Sequence, residues 1–159
     1  GINLGGNLGI CALYSGTVSA ATESMIMGVP SIAVSLDTYE NPDFIPAAKF
    51  TRKLIAKVLE NGLPEGIVLN VNVPPVPENE LAGVAITRQG KSRVVESFDQ
   101  RVDPRGNTYY WMAGEFNDLD GREDTDIWAL ANNYLSVVPI QFDLTAHHHL
   151  AQIHQTLDA

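Results

Sequence analysis

The sequence has 159 residues and a formal net charge of −9, from 10 Lys and Arg against 19 Asp and Glu. Broad nucleic-acid interfaces neutralise phosphates with Lys and Arg, so this balance argues against a nucleic-acid polymer as the main partner. No stretch approaches the roughly 20 apolar residues of a membrane helix, so we expect no membrane partner. The length suits one domain, and the single Cys11 fits a reducing compartment, from which we expect a cytoplasmic protein.

A loop rich in Gly and Asn opens the chain and enters a predicted helix over Ser15–Met27, which is followed by a predicted strand over Ser31–Leu36. The first N–H groups of a helix are unpaired and the helix dipole is positive there, so such a start can bind an anion. We expect Ser15 to cap the helix, Gly16 to let a ligand approach the backbone, and Thr17 to add a hydroxyl. This stretch predicts a phosphate site.

Two asparagines in the same loop, Asn3 and Asn7, carry neutral amide oxygens of the kind that hard divalent cations accept. The alternative is turn chemistry, because Asn tolerates tight loops. Considered alone, the two residues favour the turn. The cysteine of this region, Cys11, is interpreted as a small buried residue rather than a nucleophile, because no His lies near it in the sequence.

The next segments continue a strand–helix–strand rhythm that predicts a parallel α/β sheet. The apolar stripe of Ala47–Glu60 predicts a helix, and Ile67–Val73 reads as a core strand. Asn70 and Asn72 alternate on one face of that strand, and we expect both to pair with the backbone of a neighbouring loop. Residues 1–80 are therefore assigned to the α/β core.

Beyond the proline-rich connector Pro74–Glu80 the pattern changes to strands without intervening helices. The predicted strands are Gly83–Arg88, Arg93–Phe98 and Thr108–Ala113, and together they predict an antiparallel β-hairpin arm over residues 83–116. Tyr109, Tyr110 and Trp111 could stack a base, but packing of the arm or of a subunit interface is the favoured interpretation.

The final third is expected to return to the core over residues 124–145 and to end in a C-terminal helical tail over 146–159. Asp124 or Thr125 is predicted to cap a short helix that runs through Asn132, and Tyr134–Gln141 reads as another strand. The run His147–His149 is interpreted as part of a solvated tail, because three consecutive residues cannot all face one metal ion on a regular element.

Several segments resemble, in the same order along nearly the whole chain, the SurE (survival protein E) family of metal-dependent 5'/3'-nucleotidases. At the N-terminal end they are the GIN-x-G-x-N loop, the YSGTV-x-A-A-x-E helix start and the PSIAVSL strand. The later ones are Leu69–Pro74, Gly83–Gly90, Asp103–Gly106, Tyr109–Trp111, Thr125–Asp126 and Asn133–Ser136.

This resemblance implies an α/β chain with a three-layer α/β/α Rossmann-like SurE fold, which we expect to be truncated at its N-terminus. The paired aspartates of the family are expected upstream of Gly1, so the catalytic residues are unknown. Asn3 is then favoured as a metal ligand for Mg or Mn, and Asn7 as a loop or phosphate contact beside Ser15, Gly16 and Thr17. Asp126 resembles a recurring family residue, for which a helix cap is the modest interpretation.

The implied activity is hydrolysis of nucleoside 5'- and 3'-monophosphates, with a homodimer or homotetramer as the assembly. Asp37 and Asp43 could approach the site, but the resemblance gives them no ligand role, so the 159-residue chain itself is expected to be inactive. One alternative is a broader phosphatase or exopolyphosphatase. The other is a non-enzymatic nucleotide-binding and oligomerisation module.

Overall fold

Strands from both halves of the chain form one mixed β-sheet in the computed structural model, which describes residues 1–158. The strands are β1 (Asn3–Leu4), β2 (Ile32–Leu36), β3 (Ile67–Val73), β4 (Gly83–Ile86), β5 (Arg93–Val102), β6 (Thr108–Asn117) and β7 (Tyr134–Gln141). The α-helices are α1 (Gly16–Ile26), α2 (Ile45–Asn61), α3 (Asp126–Ala131) and α4 (Leu150–Leu157), and short 3₁₀ turns span Gly9–Tyr14, Glu78–Glu80 and His147–His149.

Strand order in the main sheet is β1-β2-β3-β7-β4, and the first three strands are parallel, as the sequence predicts. β7 runs antiparallel to β3 and parallel to β4, so the sheet is mixed rather than wholly parallel. Mixed sheets of this kind are common in α/β proteins. Because β1, β2 and β3 are parallel, their C-terminal ends lie at the same end of the sheet.

Helices cover both faces of this sheet, which confirms the predicted three-layer α/β/α fold. Alternate residues of a strand point to opposite faces, and the core follows that alternation. On one face α1 packs through Val18 and Ala21 against Ala33 and Val68. On the other face α2 places Ala47, with Phe50 and Leu54, over a cluster that contains Val34, Leu36, Val71, Val73, Leu135 and Val137.

The ends of α1 and α2 follow from local chemistry. Ser15 caps α1, and after it ends Gly28 adopts φ +82°, a conformation that favours glycine. α2 begins two residues before the predicted Ala47, because Pro46 fits the first turn of a helix, and it ends at Gly62 with φ +74°. The predicted helices are thus confirmed within one or two residues.

The predicted arm is a two-stranded antiparallel ribbon of β5 and β6. It begins at Arg93 rather than at residue 83, and its two strands each continue beyond their predicted ends at Phe98 and Ala113. Including residues 83–88 in the arm is wrong, because β4 pairs with β7 in the main sheet. The turn at 103–107 is held by Asp103, whose carboxylate accepts hydrogen bonds from the backbone N–H groups of Arg105 and Asn107. On the ribbon, the Arg101 guanidinium lies 5.3 Å from the centre of the Trp111 ring.

The C-terminal third matches its prediction closely up to the tail. Thr125 caps α3 by accepting a hydrogen bond from the Trp128 N–H, and β7 has the predicted bounds. In the tail the regular helix is α4, and its side chains are exposed through residue 158. The predicted end of the tail at Ala159 lies outside the described residues. Within residues 1–158, no helix combines the length and the apolar character that crossing a bilayer requires.

Two amides on β3 hold the N-terminal loop against the sheet, as the sequence predicts. Asn72 accepts a hydrogen bond from the Asn7 N–H through Oδ1 at 2.8 Å, and its Nδ2 donates to the Asn7 carbonyl at 3.2 Å. Asn70 Nδ2 donates to the same carbonyl at 2.9 Å. Both side chains are buried, and the loop backbone replaces water for all of their polar atoms except Asn70 Oδ1.

Replacing Asn72 with Ala should lower the free energy of unfolding by about 2 kcal/mol. The change removes both hydrogen bonds and leaves the Asn7 N–H without its acceptor in a partly buried place. Urea unfolding followed by far-UV circular dichroism measures the effect.

The matched control is Asn61→Ala, which removes an exposed amide that donates to the Lys57 carbonyl at the end of α2. Exposed substitutions of this kind stay within about 0.5 kcal/mol. Equal losses in the two variants would contradict the role assigned to Asn72.

Candidate functional site

The start of α1, where the sequence predicts an anion site, has the predicted serine cap and open space in front of it. Ser15 is buried, and its Oγ accepts a hydrogen bond from the Val18 N–H at 3.1 Å. Gly16 is exposed, and a Cβ built on it would meet no atom within 4 Å. Thr17 follows, half-buried, in the first turn. Open space therefore lies in front of the helix N-terminus, where a side chain at position 16 would otherwise stand.

A cavity of about 640 Å³ brings together polar groups from three parts of the chain. Asn7 of the glycine-rich loop, Ser15 before α1 and Asp37 after β2 all line it. The side chain of Asn7 is fixed against β2, because its Nδ2 donates a hydrogen bond to Ser35 Oγ at 2.7 Å. Of the predicted phosphate contacts, Asn7 and Ser15 thus share one cavity, whereas Gly16 and Thr17 lie beside it rather than on its lining.

Asp37 is the residue that sequence analysis left without a role. Its Oδ1 accepts a hydrogen bond from the Gly6 N–H at 3.1 Å, which fixes the carboxylate against the glycine-rich loop. Burial raises the pKa of Asp37, and the Gly6 N–H opposes that rise. The available signal was its position directly after β2, because ligands of α/β sheets gather at the carboxyl ends of parallel strands. Asp43, in contrast, is exposed and accepts a hydrogen bond from Ile45 N–H.

Asn3, the predicted metal ligand, lies on β1 opposite Ser35 and outside the lining of the cavity. Its Nδ2 donates to the Gly5 carbonyl at 2.8 Å, which leaves the amide oxygen as the atom that could face a cation. The oxygen donors Asn3, Asn7 and Asp37 fit a hard divalent ion in kind. They supply one carboxylate, and within residues 1–158 there is no cluster of three His, Cys, Asp or Glu side chains suited to a metal.

Asp126 connects the loops around the cavity instead of serving mainly as a helix cap. It is fully buried, and its carboxylate accepts hydrogen bonds from Gly9 N–H at 2.8 Å and Gly90 N–H at 2.9 Å. It also accepts one from Ile127 N–H in its own helix, whereas Thr125 provides the cap. Burial raises the pKa of Asp126, and these backbone donors oppose the rise.

Ion pairs connect the loop after β4 to the acidic segment 118–124. Arg88 forms ion pairs with Asp120 and Asp124, both at 2.8 Å, and these carboxylates raise the pKa of its guanidinium above the usual range. Gln89 Nε2 donates to the Gly9 carbonyl at 2.7 Å. The glycine-rich loop, the loop after β4 and the acidic segment are thus fixed to one another around the cavity.

These features define a three-layer α/β protein with an oxygen-lined loop beside an open helix N-terminus. The sequence profile of the family described as Survival protein SurE matches residues 1–96. The chain belongs to the SurE family.

Similar proteins cover most of this chain. A protein named 5'-nucleotidase SurE from Flavobacterium johnsoniae is 49% identical over 96% of the chain, and one of the same name from Thermosynechococcus vestitus is 54% identical over 91%. The chain spans 60% and 56% of the lengths of these relatives. The crystal structure of a SurE protein from Aquifex aeolicus superposes with a TM-score of 0.82 at 43% identity, over 100% of this chain and 64% of that one.

Replacing Gly16 with Val should weaken the binding of inorganic phosphate by more than about tenfold while leaving the fold intact. The isopropyl group would fill the space before the helix N-terminus, and a lost hydrogen bond to a charged group has an effect of this size. Isothermal titration calorimetry with phosphate in the presence of Mg²⁺ measures the affinity.

Ala20→Val provides the control, because position 20 is exposed one turn further along α1. Both variants place the same β-branched side chain in the same helix, and only Ala20→Val loses helix propensity, so a loss of affinity confined to Gly16→Val cannot come from a weakened helix. Unchanged phosphate affinity in Gly16→Val would remove the helix N-terminus from the site.

Proposed function

We propose that this chain provides the phosphate-binding part of an enzyme that hydrolyses nucleoside 5'- and 3'-monophosphates with the aid of a divalent metal, Mg or Mn. The observation that carries the proposal is the shared cavity of Asn7, Ser15 and Asp37 beside the open start of α1. The name 5'-nucleotidase SurE, given to relatives about half identical to this chain, supports the reaction and the substrate.

In this proposal the phosphate lies against the first turn of α1. The unpaired N–H groups of that turn donate to its oxygens, and the Ser15 and Thr17 hydroxyls are within the same turn. Charge that develops on the phosphoryl oxygens would meet donors that are already oriented, which stabilises the transition state. Asn7 is kept in position for its phosphate contact by Ser35 and Asn72.

The residues that the structure describes supply only part of the metal site of the proposal. Asn3 would offer an amide oxygen, and the bound ion would polarise a phosphoryl oxygen and activate a water. Divalent ions of this type take most of their charge compensation from carboxylates, and the described cavity lining contributes Asp37 alone. We therefore expect the paired aspartates of the family to come from a segment outside these 159 residues.

The exopolyphosphatase alternative is less well supported. A polyphosphate chain carries a negative charge on each unit and needs Lys or Arg along its path. The residues that line the described cavity include neither, and Asp37 adds negative charge. A single phosphate at a helix N-terminus fits this lining better.

The 159-residue chain should release no phosphate from nucleoside monophosphates with Mg²⁺ or Mn²⁺. The chain extended by the N-terminal segment of a SurE relative should do so. The reason is the missing carboxylate pair, and a colorimetric phosphate assay across nucleoside monophosphates and polyphosphate measures both. Turnover by the 159-residue chain would show that the metal site is misplaced. Nucleotide binding without turnover by the extended chain would favour the non-enzymatic module.

In that assay, Asn3→Ala in the extended chain serves to locate the metal. If the Asn3 oxygen binds the ion, the variant should need a higher metal concentration for half-maximal activity and should melt at nearly the same temperature. Asn107→Ala, an exposed asparagine in the turn of the arm, is the control. An unchanged metal dependence in Asn3→Ala would remove that residue from the site.

We further propose a homodimer or homotetramer in the cytoplasm. Along one side of α4, Leu150, Ile153 and Leu157 are exposed, and the arm exposes Phe98, Tyr110 and Met112. A two-stranded ribbon alone is marginally stable in water, so contacts with another subunit would stabilise it.

Deleting residues 146–159 should shift the sedimentation of the chain toward that of the monomer, because the deletion removes the exposed apolar stripe of α4. Analytical ultracentrifugation at several concentrations measures the shift. The control replaces the exposed His148 and Gln155 with Ser and leaves the stripe in place. An unchanged sedimentation coefficient after the deletion would mean that the tail contributes nothing to assembly.

A further inference from the structure

The cavity that holds Asn7, Ser15 and Asp37 has a second wall of a different character. Apart from Gly6, its remaining lining is almost wholly apolar or aromatic and comes from the end of the glycine-rich loop, the 3₁₀ turn, the loop after β2, the root of the arm and α3. These residues are Leu8, Cys11, Tyr14, Tyr39, Val94, Phe116, Ile127, Leu130 and Ala131. Sites for small ligands commonly pair an apolar surface with a few oriented polar groups, in volumes like this one.

The root of the arm forms part of this wall through one cross-strand pair. Val94 on β5 lies opposite Phe116 on β6, so both side chains are on the same face of the ribbon. The Val94 side chain lies over Gly114, where an added Cβ would be 2.7 Å from its Cγ1. Gly114 therefore leaves the room that Val94 uses beside the cavity.

The same face of the arm continues away from the cavity with Phe98 and Met112. These side chains are 64% and 66% exposed, whereas Val94 and Phe116 are 42% and 46% exposed. The Val94–Phe116 pair thus lies against the body of the protein at the cavity, and the Phe98–Met112 pair does not line it. The same face of the ribbon therefore carries two similar apolar pairs, one that lines the cavity and one that does not.

The chemistry of this wall favours a flat, uncharged group. Among the described residues that line the cavity, Asp37 is the only Asp, Glu, Lys or Arg, and it lies with the polar groups. A second anionic group would find no cation on the apolar wall. A nucleobase presents an aromatic face that stacks on a ring such as Phe116 without requiring a particular sequence of hydrogen bonds.

We propose that the root of the arm is the base-binding part of the substrate site, with Phe116 contacting the nucleobase and Val94 closing the wall beside it. This inference depends on the proposed function, because it takes the phosphate to lie at Ser15. It assigns the ribbon a role in substrate choice in addition to any role in assembly. In this assignment, α1 binds the phosphate of the substrate and the arm binds its base.

The test compares Phe116→Ala with Phe98→Ala in the extended chain that carries the metal. KM is measured for a nucleoside monophosphate and for ribose 5-phosphate, which lacks the base, and inorganic phosphate is tested as an inhibitor. Phe116→Ala should raise KM for the nucleoside monophosphate about tenfold, since stacking on an aromatic ring contributes that much. It should leave KM for ribose 5-phosphate and inhibition by phosphate unchanged, and Phe98→Ala should change none of the three.

Phe116→Leu keeps a large apolar side chain but removes the flat ring, and it should give an intermediate rise in KM. Equal effects of Phe116→Ala on both substrates, or an equal effect of Phe98→Ala, would overturn the proposal. If the extended chain releases no phosphate from any substrate, the proposed function fails. Saturation-transfer NMR with a free nucleoside then decides the base site: a signal lost in Phe116→Ala supports it, and an unchanged or absent signal refutes it.

Discussion

The hydrogen bonds between the Asn7 peptide and the amides of Asn70 and Asn72 are the constraint on which the site depends. β3 carries these amides on the same face that buries Val68 under α1, so they could not remain there without polar partners. The backbone of the glycine-rich loop supplies partners for three of the four amide atoms, and Asn70 Oδ1 is the exception. The need of a buried polar stripe for partners therefore fixes the loop, and the loop in turn fixes Asn7 beside Ser15 and Asp37.

Asp126 extends that constraint across the molecule. Its buried carboxylate accepts hydrogen bonds from backbone N–H groups of two loops that are about eighty positions apart in the sequence. Next to Gly9, the Ile10 N–H donates a hydrogen bond to the Ser92 carbonyl. Gly9 has φ +52°, and a Cβ on it would lie 2.5 Å from that carbonyl oxygen. Glycine is required there because the backbones approach so closely. The start of the arm, immediately after Ser92, is thereby fixed relative to the glycine-rich loop.

Sequence analysis predicted most elements because their signals are local. β3 has its predicted bounds since a β-branched run lies between Gly66 and Pro74, and α1 has a serine cap that can be read directly. The strand β4 was predicted, but its assignment to the arm was wrong. Its partner, β7, is some fifty residues away in the sequence and leaves no trace in the residue pattern of β4. The two strands of the arm were predicted too short, because exposed strands lack alternating hydrophobicity. At the site, Ser15 and Asn7 were predicted together as phosphate contacts. The position of Asp37 in the cavity could not be predicted, because it depends on the tertiary contact between the glycine-rich loop and the end of β2.

The sequence contains a single cysteine, and Cys11 lies on the wall of the cavity between the glycine-rich loop and α1. A probe attached to this thiol would report from inside the cavity without competition from other positions. No engineered cysteine would be needed, so the loop and the polar stripe beneath it would keep their natural side chains. A small fluorine label on Cys11 would let occupancy of the cavity be followed directly in solution, including in variants that have lost all turnover.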